Sequence, residues 1–207
     1  SHKLGRPHGI MDQGKFEKSI DEVVALGCKQ VVLTSFGEPL IDKRLEEKIA
    51  YVKAKGLRTY IISNASLLTR SRAKSLIEAG LDELRVSYYG MQKESYKTVM
   101  VGLNFDVTMK NLADFLEVRE ELGSKRPRLE LSWLELPENK DETDEFKEYW
   151  GSRADAVEIW KPHNFGDGRS YRQRYDEVAM KTTCGRPENG PLQIQWDGEV
   201  IPCCYDY

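Results

Sequence analysis

Three short polar groups in the sequence each follow an apolar, β-branched run: Gly37-Glu38-Pro39, Ser63-Asn64 and Ser87, with His163-Asn164 after a further run. Glycine allows another chain or a ligand to approach the backbone closely, and a carboxylate accepts hydrogen bonds from an ammonium group. Asn and Ser suit the hydroxyls of a ribose or the carboxylate of a small polar ligand. Pro39 after the glutamate starts the next helix and restricts the loop. A second chemistry sits at the other end of the sequence, where Cys184, Cys203 and Cys204 gather; the fourth cysteine, Cys28, stands apart. Disulfides are disfavoured in a reducing cytoplasm, so metal or cluster ligation competes there with plain burial.

The elements that must position these residues follow one repeated pattern. Phe16, Ile20, Val23 and Val24 define a first helix, capped by Asp12 and closed by Gly27. Leu45, Ile49 and Val52 define a second, closed by Gly56; Leu76 and Ile77 a third, opened by Thr69 and closed by Gly80. Leu112, Phe115, Leu116 and Leu122 define a fourth, opened by Asp106 and closed by Gly123, and Phe146, Tyr149 and Trp150 a fifth, ending at Gly151. Side-chain caps at the start and glycine past the end are physical boundaries of a helix. Between the helices lie "QVVLTSF", "RTYIISN", "ELRVSYY", "RLELSWLEL" and "AVEIWK", five strand candidates. Strands alternating with helices predict a parallel sheet with right-handed crossovers. In such sheets ligands bind at the carboxyl ends of the strands, which is where the polar groups fall. No G-x-G-x-x-G follows any strand, so a dinucleotide-binding reading lacks its main support.

After Lys161 the pattern breaks. "PHNFGDGRSYRQRYDE" reads as a long loop, and "PLQIQWDGEVIPCC" as a hairpin turning at Asp197-Gly198. The expected division is 1–182 for the α/β domain and 183–207 for a small terminal module. His163 and the arginines at 169, 172 and 174 are read as a solvated loop, with a substrate carboxylate or phosphate as the alternative. Trp133, Trp160 and Trp196 are read as core, and Cys28 as buried.

Composition narrows the function classes. The 207 residues are 40% hydrophobic and 31% charged, with a net charge of −3, an ordinary soluble balance that gives no reason to expect nucleic acid or membrane partners. No apolar run approaches the ~20 residues of a membrane span, and the first residues lack the apolar core of a signal peptide. A cytoplasmic protein is the expectation.

Taken in order, the segments resemble those of radical S-adenosylmethionine (SAM) enzymes. "LTSFGEPL" resembles their GGEP-type motif, "IISNASLLT" their "TNG" strand end, and "GLDELRVSYYG" the segment that follows their third helix. The resemblance implies an α/β fold, a partial (β/α)6 TIM-like barrel with parallel strands that lacks its first strand here, plus a small C-terminal β-hairpin module. It also implies SAM and a [4Fe–4S] cluster as cofactors, reductive cleavage of SAM to a 5′-deoxyadenosyl radical, and abstraction of a hydrogen atom from the substrate. By position, Gly37, Glu38 and Pro39 line the methionine amino end of SAM, Ser63 and Asn64 lie beside the ribose, and Ser87 faces the ribose or carboxylate. Phe36 departs from the pattern, standing where the motif has its first glycine.

The terminal cysteines fit C-x13-G-x4-C through Cys184, Gly198 and Cys203, which resembles the opening of a SPASM or twitch module with auxiliary [4Fe–4S] clusters. Thiolates suit such clusters, and a hairpin fixes the second thiolate beside the first. Cys184 and Cys203 are the implied ligands, with Cys204 packed behind; a zinc site lacks a completing C-x2-C or histidine. The family's C-x3-C-x2-C does not occur in these residues, and the expectation is that the chain starts downstream of it and stops short of the rest of the terminal module. Implied partners are a small-molecule or peptide substrate and an electron donor such as flavodoxin or ferredoxin, with peptide or protein modification favoured and oxidation or epimerisation of a small molecule beside it. The competing expectation is a non-catalytic module that keeps a SAM-like pocket or a partner surface and has lost the cluster.

Overall fold

A computed structural model describes residues 9–34, 37–162 and 190–202. They fall in two compact units, one spanning 20–161 and the other containing 9–19, 162 and 190–202. In chain order the elements are α1 (Gln13–Ala25), β1 (Gln30–Val32), α2 (Leu45–Ala54), β2 (Arg58–Ser63), α3 (Arg70–Glu78), β3 (Glu83–Ser87), α4 (Lys93–Val99), α5 (Phe105–Glu121), β4 (Arg128–Leu134), α6 (Thr143–Gly151), β5 (Ala156–Trp160), β6 (Gln193–Ile194) and β7 (Val200–Ile201). Strands β1 to β5 form one parallel sheet in sequential order, as expected of a chain that advances one strand per helical crossover. Among the described residues, no helix is long and apolar enough to cross a membrane.

Alternation along the strands separates two chemistries. Ile61 on β2, Leu84 and Val86 on β3, and Leu129, Leu131 and Trp133 on β4 share one face and are buried in a single core with Ile49, Leu76, Leu112, Phe115 and Phe146 from the helices. The strand register places Arg58 and Tyr60, Glu83 and Arg85, Arg128 and Glu130, and Glu158 and Trp160 together on the other face. That face is the interior of the partial barrel. Trp160 is 47% exposed there, so the expectation that it belongs to the core is corrected, whereas Trp133 is fully buried.

The helix boundaries show why the sequence folds here. Asp12 accepts from the backbone N–H of Gly14 and Lys15, and Thr69 from that of Arg72. Gly27, Gly56, Gly80 and Gly123 all adopt positive φ just past helix ends. Two readings change. The cap of α5 is Asn104, whose Oδ1 accepts from the Val107 N–H; Asp106 lies inside the first turn and pairs with Lys93. Leu122, expected on the apolar face of that helix, is 41% exposed.

The crossover from β3 to β4 contains two helices. The first, α4, has only Tyr96 as a large buried residue; its ring lies 5.4 Å from that of Tyr88. A Cβ at Gly90 would lie 2.5 Å from the Tyr96 backbone, so glycine is what lets α4 sit down on the exit of β3. Glu142 holds the same corner from across the chain, accepting from the backbone N–H of Met91 and Gln92 and from the Ser95 hydroxyl.

In the second unit β6 and β7 form the expected antiparallel hairpin. Gly198 takes φ +95° in the turn, and its N–H donates to the Gln195 carbonyl. The hairpin's Trp196 lies where a Cβ on Gly9 would sit, at 2.3 Å, so those two segments pack directly.

Candidate functional site

A parallel sheet brings the carboxyl ends of its strands to one edge, and Gly37-Glu38-Pro39, Ser63-Asn64 and Ser87 lie at that edge. Pro39 opens a short 3-10 turn, Pro39–Ile41, with its fixed φ at the first position, and Glu38 is the cap of that turn. The Glu38 Oε1 accepts from the Leu40 N–H at 3.1 Å and from the Ser63 hydroxyl at 2.7 Å. Its Oε2 accepts from the Asn64 N–H at 2.7 Å. One carboxylate thus ties the loop after β1 to the end of β2, across 25 and 26 residues of sequence.

Ser63 and Asn64 have different roles because they are adjacent on a strand. Ser63 is 2% exposed and faces the helices; its hydroxyl gives its proton to Glu38 and accepts from the Ala65 N–H at 2.9 Å. It positions the loop and presents no free group to the interior. Asn64 is half-buried at the lip of the barrel, and its Oδ1 accepts from the Ser66 N–H. Ala65, at the place of the glycine in the resembled "TNG", has φ +57° and no exposed surface. That left-handed backbone is the physical reason a glycine suits the position. Asn111, on α5, fixes it by donating to the carbonyls of Ala65 and Ser66 at 2.8 and 3.1 Å.

Ser87 ends β3. Ser63 is paired with Val86, so Asn64 and Ser87 are the next residues along neighbouring strands, and Ser87 lies in register with Ser132 on β4. Gly37 is exposed, its φ is not positive, and a Cβ there would meet nothing within 4 Å. Neither backbone conformation nor packing within the described residues requires glycine at that place.

The electrostatics of Glu38 are unusual. All three of its donors are neutral, and among the described residues no Lys, Arg or His pairs with it. A carboxylate offers about four lone-pair directions, so one remains on Oε2, and the charge shared by the two oxygens is met by no cation among the described residues. This edge can receive a cation, and the residues present fit the ammonium end of SAM.

Not every expectation falls within the described residues. Cys184, Cys203, Cys204, His163 and Asn164 lie outside them, as do the arginines at 169, 172 and 174. Cys28 is half-buried rather than sealed in a core, and its thiol donates to the Gln30 carbonyl. Sequence reading missed Asn111 and Glu142, whose partners lie 45 to 51 residues away. It also missed the charged interior face, although Glu83, Arg85, Arg128, Glu130 and Glu158 sit at alternating positions of strands read only for their apolar residues.

The sequence is 25% identical to the tungsten-containing aldehyde ferredoxin oxidoreductase cofactor-modifying protein of Pyrococcus furiosus over 227 residues, covering 94% of this chain and 63% of that protein. It is 35% identical to the Fe-coproporphyrin III synthase of Methanosarcina barkeri over 104 residues, covering 50% of this chain and 26% of the synthase. The chain therefore spans between a quarter and under two-thirds of the length of these relatives. In fold it is similar to the structure of BtrN in complex with AdoMet and 2-DOIA, with a TM-score of 0.51 and 17% identity over 97% of this chain and 63% of that one. The family model of the Radical SAM superfamily matches residues 1–122, more than half of the 207, and the chain belongs to the radical SAM superfamily.

Proposed function

We propose that the protein binds SAM across the ends of β1, β2 and β3 and that, with its cluster, it acts as a radical SAM enzyme. The observation that carries this reading is the Glu38 carboxylate, fixed by three neutral donors and uncompensated by any cation among the described residues. Glu38 receives the methionine ammonium, and Gly37 and Pro39 shape the loop beside it. Asn64 and Ser87 face the ribose or carboxylate, and Ser63 holds Glu38 in place. A [4Fe–4S] cluster, when bound beside this edge, would supply the electron for reductive cleavage of the SAM that these residues would hold, and so the means of abstracting a hydrogen atom from the substrate. No C-x3-C-x2-C occurs in these residues, and the proposed activity requires cluster ligands of that kind.

The relatives' printed names differ in substrate, so similarity to them supports a reaction class rather than a substrate. Modification of a peptide or protein, or oxidation or epimerisation of a small molecule, remains the expected use, with a flavodoxin- or ferredoxin-type electron donor. For the terminal module, 183–207, the β6–β7 hairpin supports the reading of a small hairpin unit; Cys184 and Cys203, which lie outside the described residues, are its proposed ligands to an auxiliary [4Fe–4S] cluster.

The test is anaerobic reconstitution, with iron and sulfide, of the protein including its cluster-binding segment. A broad absorbance near ~400 nm and reductant-dependent formation of 5′-deoxyadenosine are expected. A reconstituted cluster with no SAM binding would overturn the assignment of this edge.

A further inference from the structure

We infer that Arg85, inside the partial barrel, is the anchor for a carboxylate on the substrate. This deepens the reading above, since it assumes that the barrel interior receives the substrate.

The guanidinium is held on three sides. Its Nε donates to Glu130, and its Cζ lies 5.5 Å from the ring centroids of both Tyr60 and Trp160. Glu130 is itself fixed by Arg128 at 3.2 Å, so that buried carboxylate is already neutralised by its neighbour on the same strand. The remaining edge of Arg85 is poorly used. Nη2 reaches Glu158 only at 3.4 Å, near the outer limit of a hydrogen bond, and Nη1 has no partner among the described residues. An arginine oriented through Nε, with Nη1 unused and Nη2 on a long, exchangeable contact to Glu158, presents the planar fork that matches a carboxylate.

The surroundings are those of a recognition site rather than of a sealed ion pair. The side chain of Glu158 is 42% exposed and Trp160 is 47% exposed, while the Arg85 side chain is 22% exposed. Glu158 has a second partner in the Trp160 Nε1, at 3.0 Å, and so can leave Arg85 without being stranded. Tyr60 supplies an independent sign. It is 9% exposed, and its hydroxyl is buried without a hydrogen-bond partner among the described residues. A buried hydroxyl left unpaired is costly, and an acceptor oxygen reaching it removes that cost. Burial pushes the Tyr60 phenol well above its ordinary pKa, so it stays a neutral donor. A bound carboxylate would displace Glu158 from Arg85, with Trp160 as its wall.

The test uses three probes of one shape and different charge: benzoate, benzamide and benzylammonium. Each is titrated into the full chain while the side-chain Nε–H signals of its arginines are followed by 15N NMR, with the Arg85 signal assigned from Arg85→Gln. Benzoate should move that signal saturably, and neither of the other probes should. Trp160→Phe should weaken benzoate binding severalfold, and Arg85→Gln should weaken it at least ~tenfold, read by equilibrium dialysis, as expected for loss of a charge-assisted pair. Equal response to benzamide, or no saturable response to benzoate in the unsubstituted protein, would overturn the inference. SAM binding is measured separately on the unsubstituted protein, and its absence would remove the proposed function while leaving the benzoate result to stand or fall alone.

Discussion

The two ends of the sheet solve the same problem with opposite electrostatics. At the amino end, Asp82 ties three strands together: it accepts from the Thr59 N–H and hydroxyl on β2, its carbonyl accepts from the Arg128 N–H that begins β4, and it directly precedes β3. At the carboxyl end, Glu38 ties the loop after β1 to β2. Asp82 is also paired with Lys53 at 2.6 Å and with Arg126, so its charge is closed within the protein. Glu38 has no such partner among the described residues. A carboxylate serving only structure is neutralised by the chain that needs it; one left charged, at the edge where ligands bind in parallel sheets, has capacity to spare.

This contrast yields its largest effect in stability. Asp82→Ala leaves the Thr59 N–H and hydroxyl and Lys53 without their acceptor and should cost about 3 kcal/mol in urea unfolding. SAM affinity should be unchanged, since the substitution is at the far end of the strands. Glu38→Gln should act mainly on binding, with a smaller loss of stability because the amide nitrogen leaves one of its three donors without an acceptor. It keeps much of the shape and one acceptor oxygen, but removes the charge, and should weaken SAM binding by about 10- to 100-fold, the equivalent of one charged hydrogen bond, measured by calorimetry on the reconstituted protein. Equal losses of affinity in the two variants would erase the distinction between the ends.

Acid should separate them as well. Burial is the largest influence on Asp82 and pushes its pKa up, but the Lys53 hydrogen bond, the Thr59 N–H and the nearby cations outweigh it, so the carboxyl titrates below its ordinary value. A depressed folded pKa contributes stability that is present above the unfolded value, near ~3.9, and is lost as pH falls through the folded one. The urea midpoint of the protein should therefore drop as pH falls below ~4, and Asp82→Asn should flatten that part of the profile. A slope identical in both proteins would remove Asp82 as its cause.

How far these sites could be read from the sequence depended on the range of the interactions. The five strands and most helix ends were legible because alternation, caps and positive-φ glycines are local. Helix α4 was not, because "KESYKTV" carries no apolar repeat and owes its place to Tyr96 packing over Gly90. The cap of α5 slid from Asp106 to Asn104 because either residue type can cap, and only the path of the chain chooses. Glu38 was legible as a polar residue at the carboxyl edge of the sheet but not as a clamp, since its partners come from another strand. The opposite roles of Ser63 and Asn64 follow from the side-chain period of two, which a strand predicted without a firm register does not assign to a face.

Ser63→Ala tests the clamp alone. It removes one donor to Glu38 and the acceptor of the Ala65 N–H while leaving the charge untouched, so about 1 kcal/mol of stability should go. SAM affinity should fall only a fewfold, through a looser Glu38. A loss as large as that of Glu38→Gln would mean that Ser63 touches the ligand itself, against its place on the helix-packed face.

The smallest expected effect is at Ala65. Its left-handed backbone costs a non-glycine residue about 1–2 kcal/mol, which Ala65→Gly relieves. The same change gives the unfolded chain more freedom, worth about 0.4–1 kcal/mol, and removes a fully buried methyl worth about 0.8 kcal/mol. These terms nearly cancel, so urea unfolding should move by under ~0.5 kcal/mol. Ala65→Val keeps the unfavourable φ, adds a β-branch where there is no space, and should cost more than ~2 kcal/mol. If glycine instead stabilised the protein strongly, the strain would be held by the Glu38–Ser63–Asn111 network. The carboxyl edge would then be a spring set by its own hydrogen bonds, unlike the relaxed, charge-paired edge around Asp82.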